Sequence, residues 1–594
     1  MKSSLKKSAL GIQWQQKPYD SRLSLAIAQR NDVSESLAKL LASKDIALEE
    51  VENFLNPTIK ASLPDPFLLL DMDIAAGKIV NSIINQKQIV IFGDYDVDGA
   101  TSSALLKRFF KMVGINVGIY IPDRIEEGYG PNSNALLKLK EQGADLVITV
   151  DCGTSSFEPL ETAAKAGLEI IVVDHHLGAL EKPKAAAIIN PNRLDEKFPH
   201  KNLAAVGVCF LLCVAVNKLL REQDYYQKQQ LPEANLLSLL DLVALGTVCD
   251  VVPLTGVNRA LVSQGLKVMK SRKNIGIRSL CDVAALDEAP SAYHLGFVLG
   301  PRINAGGRVG KSGLGADLLS TDDEKQAIQI AGQLDIYNKQ RKDIEKQVLE
   351  EAVNQIERST DSKELPVLFA ASDNWHQGVI GIVASRIKEL YDKPTAIISL
   401  NSGIGKASCR SINGVDFGSA IVKAKLNKLL IEGGGHAMAG GFSAEEHKIN
   451  DVQQFFCEEL GKLVEIYNQQ KTRYFADILD INSANLNLAK QIELLEPYGA
   501  ANSKPRFMIK DLLIASADII GSDQSHVRCI LSAKTLAGWQ GRITGIAFKA
   551  MENNLGKILI SRNKSQKVNI IGQVNINSWM GNENLQVLIE DIII

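Results

Sequence analysis

The chain has 594 residues, roughly four times the ~150 of a typical compact domain, so a single domain is excluded and two to four are expected. Apolar residues make up 45% and charged residues 23%, the balance of a globular protein, which rules out a largely disordered chain. Lys plus Arg total 66 against 68 Asp plus Glu, a net charge of −2, so there is no global polycation and any anion site has to be local.

The first twenty residues are basic but lack the apolar stretch of a signal peptide, and no apolar run reaches the ~18 residues needed to span a bilayer. A cytoplasmic protein with no membrane association is expected. The 8 cysteines include no C-x-x-C pair, which argues against a zinc ribbon or a disulfide framework and for reduced, buried thiols.

In chain order, residues 33–42 and 48–55 carry short amphipathic patterns, and 1–70 reads as a helical N-terminal cap. From residue 88, short apolar strands alternate with helix-length segments through 176, the pattern of a parallel sheet covered by crossover helices. The fold class is therefore α/β, with this core placed at 71–323. Residues 324–358 are strongly charged with few apolar positions and read as a connecting helix between lobes. A second α/β lobe with a glycine-dense region at 403–441 is placed at 359–470. From 471 to 594, five or so strands with a helix-like insert at 484–495 suit a small barrel of the OB-fold type, and 14 Lys or Arg there stand against 11 Asp or Glu.

Three strands run straight into acids. The first ends in GDYDVDG (93–99), placing Asp94, Asp96 and Asp98 at the carboxyl edge of the sheet, where open α/β sheets bind ligands. The next two end in Asp151-Cys152-Gly153 and in Asp174-His175-His176, and Asp250 follows a further apolar segment. Clustered carboxylates repel one another unless a cation neutralises them, and mixed carboxylate and imidazole ligands suit Mn²⁺ or Mg²⁺. A calcium EF-hand is excluded, because the position that needs Glu is Leu105.

These residues resemble the DHH phosphoesterase superfamily. GDYDVDGAT, DCG, DHH, GPRINAGGR, WHQGVIGIVASR, SCRS and GGGHAMAGG, in this order over about residues 70–510, are similar to its single-stranded-DNA-specific exonucleases. The resemblance implies a catalytic core, a DHH-associated lobe and an OB-fold barrel, two Mn²⁺ or Mg²⁺ ions, and 5'→3' release of mononucleotides in recombination and repair. It implies metal ligation by Asp94, Asp96, Asp151, His175 and Asp250, with Asp151 between the ions. Asp98 is either a ligand or a support behind the ligands, and His176 either joins Asp151 and His175 in the catalytic set as a ligand or meets the scissile phosphate.

For substrate, Arg302, Asn304 and Arg308 sit in what reads as a glycine turn able to bind phosphate oxygens. GKS at 310–312 is not a P-loop, since the first glycine position is Ala305. Ser408 and Arg410 resemble the motif that holds a terminal 5'-phosphate, Gly434, Gly435 and His436 would meet the strand, and His376 is a further contact. In the barrel, Arg506, Phe507, Lys510, Arg528, Trp539 and Arg542 are candidates to stack bases and follow phosphates. Single-stranded DNA, a single-stranded-DNA-binding protein and a helicase are the expected partners, and a monomer is the default. Two other readings stay open: the same chemistry on short oligonucleotides or cyclic dinucleotides, and a non-catalytic DNA-binding scaffold.

Overall fold

Five short strands build the sheet that carries the candidate site: Gly118–Tyr120, Ile89–Gly93, Leu146–Val150, Glu169–Val173 and Ala187–Ile189, in that spatial order and all parallel in this computed structural model. A strand covered on both faces has no polar side, and IVIFG and LVITV are buried at every position. Numbered along the chain, the spatial order is second, first, third, fourth, fifth. The winding therefore reverses between Ile89–Gly93 and Leu146–Val150, and the crevice beyond their carboxyl ends is the place where such sheets bind ligands.

The structure describes residues 8–124, 127–358, 364–469, 471–534, 540–561, 566–579 and 581–594. They form two compact units, one of residues 64–252 with 264–470, the other of residues up to 63 with 253–263 and 471–594.

In the first unit, helix Glu324–Arg358 runs 35 residues, ~50 Å long. It is charged outside but buries a stripe from Ala327 through Leu334 to Ile356. Its early turns pack on helices Ile275–Val283 and Gly300–Val309. Its last turns join Trp375, Val379 and Ile397 in the core of a second sheet. That sheet is mixed, in the order Glu432–His436, Ala439–Glu445, Ile404–Arg410, Thr395–Asn401, Leu368–Ser372. Only Leu368–Ser372 and Thr395–Asn401 pair in parallel.

In the second unit, strands Phe507–Ile520, His526–Lys534, Gln540–Ala547, Asn582–Ile593 and Val568–Trp579 close into a barrel, because the first also pairs with the last. The expectation of a separate helical cap over 1–70 differs from what is found. Strand Gln13–Gln16 pairs with Thr472–Phe475, and Ile27, Leu37, Leu41 and Phe54 share one core with barrel residues Ile509, Val527 and Val587. The amphipathic patterns marked helices correctly but carried no information about which apolar surface they cover. Of the expected nucleic-acid contacts on the barrel, Phe507 is buried in that core and Arg506 pairs with Glu590 at 2.5 Å, so both hold the fold. Trp539 lies outside the described residues.

Candidate active site

The turn after Ile89–Gly93 is fixed by its own residues. Asp96 caps helix Val97–Met112, its side chain accepting from the Gly99 amide at 3.1 Å. A Cβ at position 99 would lie 2.5 Å from the Asp94 carbonyl, so only glycine lets the helix start seat against the strand end. Asp94 and Asp96 are thereby aimed into the crevice, and Asp151, Asp174 and His175 arrive from the next two strand ends.

The distances define one cluster. His175 Nε2 lies 3.3 Å from Asp151 Oδ1, and its Nδ1 lies 3.6 Å from Asp250 Oδ2. Donor atoms of Asp94, Asp96 and Asp151 lie within 4.8 Å of one another, as do those of Asp98, His175 and Asp250, and those of Asp151, His175 and His176. Asp151 and His175 thus each belong to two overlapping sets.

The chemistry of these donors fits divalent cations. Asp94 Oδ1, Asp151 Oδ1, His175 Nε2 and Asp250 Oδ2 are buried without a hydrogen-bond partner, a costly state unless something else engages them. Burial, and then the charge of Asp96, holds Asp94 and Asp151 well above the usual carboxylate range. Burial and then Asp98 push Asp250 up to about 9. Burial and then His176 lower His175 to about 4, which leaves its imidazole neutral and able to ligate.

Two acids of the cluster have other work. Asp98 accepts from the backbone amides of Ala205 at 2.6 Å and Val206 at 2.9 Å, capping the start of helix Ala205–Glu222. Both its oxygens are engaged, and Oδ2 is 4.0 Å from His175 Nε2. Asp174 Oδ1 meets His176 Nδ1 at 2.8 Å and accepts from the His175 amide at 2.7 Å, while Oδ2 accepts from the Thr154 amide at 3.0 Å. Asn190 and Asn192 brace the same turn by donating to the His176 and His175 carbonyls at 2.8 and 2.6 Å. Burial lowers the His176 pKa, but the Asp174 hydrogen bond and charge outweigh it and hold the ring up at about 9.

A cavity of about 330 Å³ opens on this cluster, with Asp94, Asp96 and His176 on one part of its wall and Asn304, Arg308, Arg124, Tyr95 and Tyr129 on the rest. Arg308 Nη1 donates to the Gly378 carbonyl at 2.9 Å, and the Arg124 guanidinium lies 4.9 Å over the Tyr95 ring. Tyr129 donates to the Asp151 carbonyl at 3.1 Å. Acids that gather cations, facing arginines that gather phosphate oxygens, are what a phosphodiester at a metal cluster needs.

The glycine turn expected at 300–308 is corrected: Gly300–Val309 is a helix, so its backbone amides are spent internally and only side chains reach the cavity. Asn304 and Arg308 do so. Arg302 does not line it; its Nε pairs with Asp335 at 2.9 Å and its Nη1 donates to the Val298 carbonyl at 2.7 Å.

In the second lobe, Ser408 and Arg410 stand two residues apart on one face of their strand, with Arg410 Nη1 3.2 Å from Ser408 Oγ. A Cβ on Gly381 would lie 3.0 Å from that Oγ and 3.2 Å from Arg410 Nη2, so glycine is what lets this pair approach helix Gln377–Tyr391. Among the described residues no carboxylate is within ion-pair reach of Arg410, and burial lowers its pKa. Gly378, which takes Arg308, is one turn from Gly381. His376 caps the same helix, its Nδ1 accepting from the Gly378 amide at 3.0 Å. Gly434, Gly435 and His436 lie exposed on the edge strand Glu432–His436.

The sequence reading missed Arg124, Tyr129 and the holding role of Asp174. Asp174 stands in plain sight in its triplet, and its position as the first polar residue after a buried strand was the available signal. Arg124 and Tyr129 follow a strand of 3 residues, too short to announce itself.

Three stretches match known domain families: residues 88–247 the DHH family, N-terminal domain; 364–462 the DHHA1 domain; and 477–591 the RecJ OB domain. The chain is 36% identical over 567 residues to the single-stranded-DNA-specific exonuclease RecJ of Dickeya dadantii, covering 94% of this chain and 95% of that one. It is 35% identical over 567 residues to the protein of the same description from Escherichia coli K12, with the same coverage. Among solved structures it is similar to RecJ from Thermus thermophilus in complex with Mn²⁺, with a TM-score of 0.78 at 26% identity, covering 98% of this chain and 79% of that one. It is also similar to an exonuclease RecJ bound to manganese, with a TM-score of 0.56 at 32% identity, covering 67% and 96%.

Proposed function

The chain belongs to the RecJ family of single-stranded-DNA-specific exonucleases, and from that premise we propose that it degrades single-stranded DNA from the 5' end, releasing mononucleotides with the help of two divalent cations, Mn²⁺ or Mg²⁺. The observation that carries this reading is the overlap of ligand sets at Asp151 and His175, whose facing atoms are buried and otherwise unpartnered. Asp94, Asp96, Asp151, His175 and Asp250 hold the ions, with Asp98 bracing them from behind. Bound there, the ions supply an activated water and stabilise charge on the oxygens of the phosphodiester.

The protein's own groups do the rest. His176, oriented by Asp174 through Nδ1, turns its other ring nitrogen to a phosphate oxygen, and Arg308, Asn304 and Arg124 hold the same group from the other wall of the cavity. Arg410 and Ser408 dock the terminal 5'-phosphate. Because Gly378 and Gly381 lie one turn, ~4.5 Å, apart along one helix, that dock stands at a set distance from Arg308, and only the end of a strand fills both places at once. Gly434, Gly435, His436 and His376 follow the strand onward.

Work in recombination and repair, a monomeric state, a cytoplasmic location, and supply of single strands by a helicase or a single-stranded-DNA-binding protein extend the same reading. Among the described residues no helix is long and apolar enough to cross a membrane. The test is a product assay on end-labelled single-stranded and duplex DNA, with and without a 5'-phosphate. Mononucleotides released from the 5' end of single strands are expected. Release from the 3' end, or cleavage confined to dinucleotides, overturns the proposal.

A further inference from the structure

Val251 and the pair Tyr293 and Phe297 expose large apolar side chains on two segments that are tied together through Cys249 and Leu295. Tyr293 and Phe297 are 62% and 72% exposed, and their rings stack with centroids 5.1 Å apart and planes 29° from parallel. Val251, directly after Asp250, is 70% exposed with its backbone at φ 58°, a left-handed conformation that β-branched residues rarely adopt. Leaving large apolar groups in water and holding one on a strained backbone both cost free energy, and such features persist where binding uses them.

The aromatic pair is tied to the catalytic cavity. Phe297 lies in a π-helical turn, Leu295–Leu299, that continues without a break into helix Gly300–Val309. Such turns are rare and gather at functional sites. The Leu295 carbonyl accepts from the thiol of Cys249, the neighbour of Asp250, at 3.3 Å, and a Cβ on Gly296 would lie 3.6 Å from Val248 Cγ1. Arg302 braces the turn through the Val298 carbonyl. Asn304 and Arg308 lie seven and eleven residues beyond Phe297 on this unbroken helical run, and both line the cavity. The rise from Phe297 to Asn304 is ~10 Å, about three nucleotides of a stacked strand at ~3.4 Å each.

The geometry points to the Tyr293–Phe297 pair as a base-stacking platform of the single-stranded substrate, holding a base within about three nucleotides of the phosphodiester in the cavity, with Val251 adding apolar surface on the Asp250 side. Flat aromatic faces accept any base, so the platform grips without reading sequence. A duplex keeps its bases stacked on one another and offers none to it. This assignment rests on the nuclease reading above.

The experiment uses the full chain and a 5'-phosphorylated 20-mer of thymidylate, intact or with one abasic residue at position two, three or four. The dissociation constant is measured by anisotropy without divalent cation, and KM for the first release with Mn²⁺. Phe297→Ala raises both about 5- to 150-fold on the intact strand (~1–3 kcal/mol at ~1.4 kcal/mol per decade), with melting temperature and Mn²⁺ dependence unchanged. Phe297→Trp keeps the wild-type values. On one of the abasic strands, wild type and Phe297→Ala converge, which a merely structural role would not produce. If wild type leaves the intact strand uncut, the nuclease reading fails. If wild type cuts but Phe297→Ala either matches it throughout or loses equally on intact and all abasic strands, the platform is overturned, and the aromatic pair serves a protein contact or the fold.

Discussion

Asp174 and His176, two residues apart at the end of one strand, meet through Oδ1 and Nδ1 at 2.8 Å, which commits one ring nitrogen and leaves the other for the cavity. An amide in place of the carboxylate keeps the shape but removes the charge that holds the imidazole up. Asp174→Asn is therefore expected to lower kcat by ~10–100-fold, the usual effect of losing a group that orients an active-site histidine. Steady-state kinetics beside circular dichroism checks this, and an unimpaired kcat would remove His176 from the reaction.

The buried acids make the metal-free protein less stable than it could be. Asp151→Asn removes one member of a mutually repelling set, so the variant without metal is expected to melt about 2–4 °C above wild type. Mn²⁺ is expected to raise the wild-type melting temperature and to do much less for the variant, which also loses nuclease activity. Thermal scans with chelator and with Mn²⁺ decide it; identical metal responses would place the ions elsewhere.

In the proposed function Arg410 and Gly381 govern the strand end. Arg410→Ala is expected to erase most of the rate advantage of a 5'-phosphorylated over a 5'-hydroxyl strand, a loss of ~1.5–3 kcal/mol, or about 10–150-fold. Gly381→Ala, whose new methyl would crowd Ser408 Oγ at 3.0 Å, is expected to reduce the same advantage while leaving Mn²⁺ affinity intact. Competition between the two substrates in one tube measures the ratio directly.

Arg302 and Arg308 share a helix but are expected to fail differently. Arg302→Ala removes one of the two cationic partners of Asp335, Lys339 remaining at 2.9 Å, takes a donor from the Val298 carbonyl, and costs ~1–3 kcal/mol of stability, with kcat nearly unchanged. Arg308→Ala lowers kcat/KM more than it lowers the melting temperature. Denaturation and kinetics on the same preparations separate the two, and a reversed pattern would refute the cavity assignment.

Phe507, read from sequence as a possible base contact, is a core residue. Phe507→Ala is expected to cost ~3–5 kcal/mol of folding stability and to leave the DNA affinity of the folded fraction intact, measurable by urea titration and anisotropy.

Much of this protein is legible in its sequence because the signals are local. A buried parallel strand must be apolar throughout and must end in a turn, so GDYDVDG, Asp151 and Asp174-His175-His176 announce both the sheet and the acids at its edge within a few residues of chain. The order of the strands, which puts Asp94 and Asp151 at the reversal of winding, is not contained in that alternation, because any parallel order reads the same along the chain; only the tertiary pairing sets it. What a given side chain does with its atoms was settled only by residues far away in sequence. Asp98 differs from Asp94 because the start of helix Ala205–Glu222 donates two amides to it. Arg302 differs from Arg308 because Asp335 lies across from one and the cavity across from the other. Hydrogen bonds and burial are pairwise and short in range, so composition and spacing can name the chemistry a chain carries, while tertiary packing alone selects which of its chemically identical groups are left free to perform it.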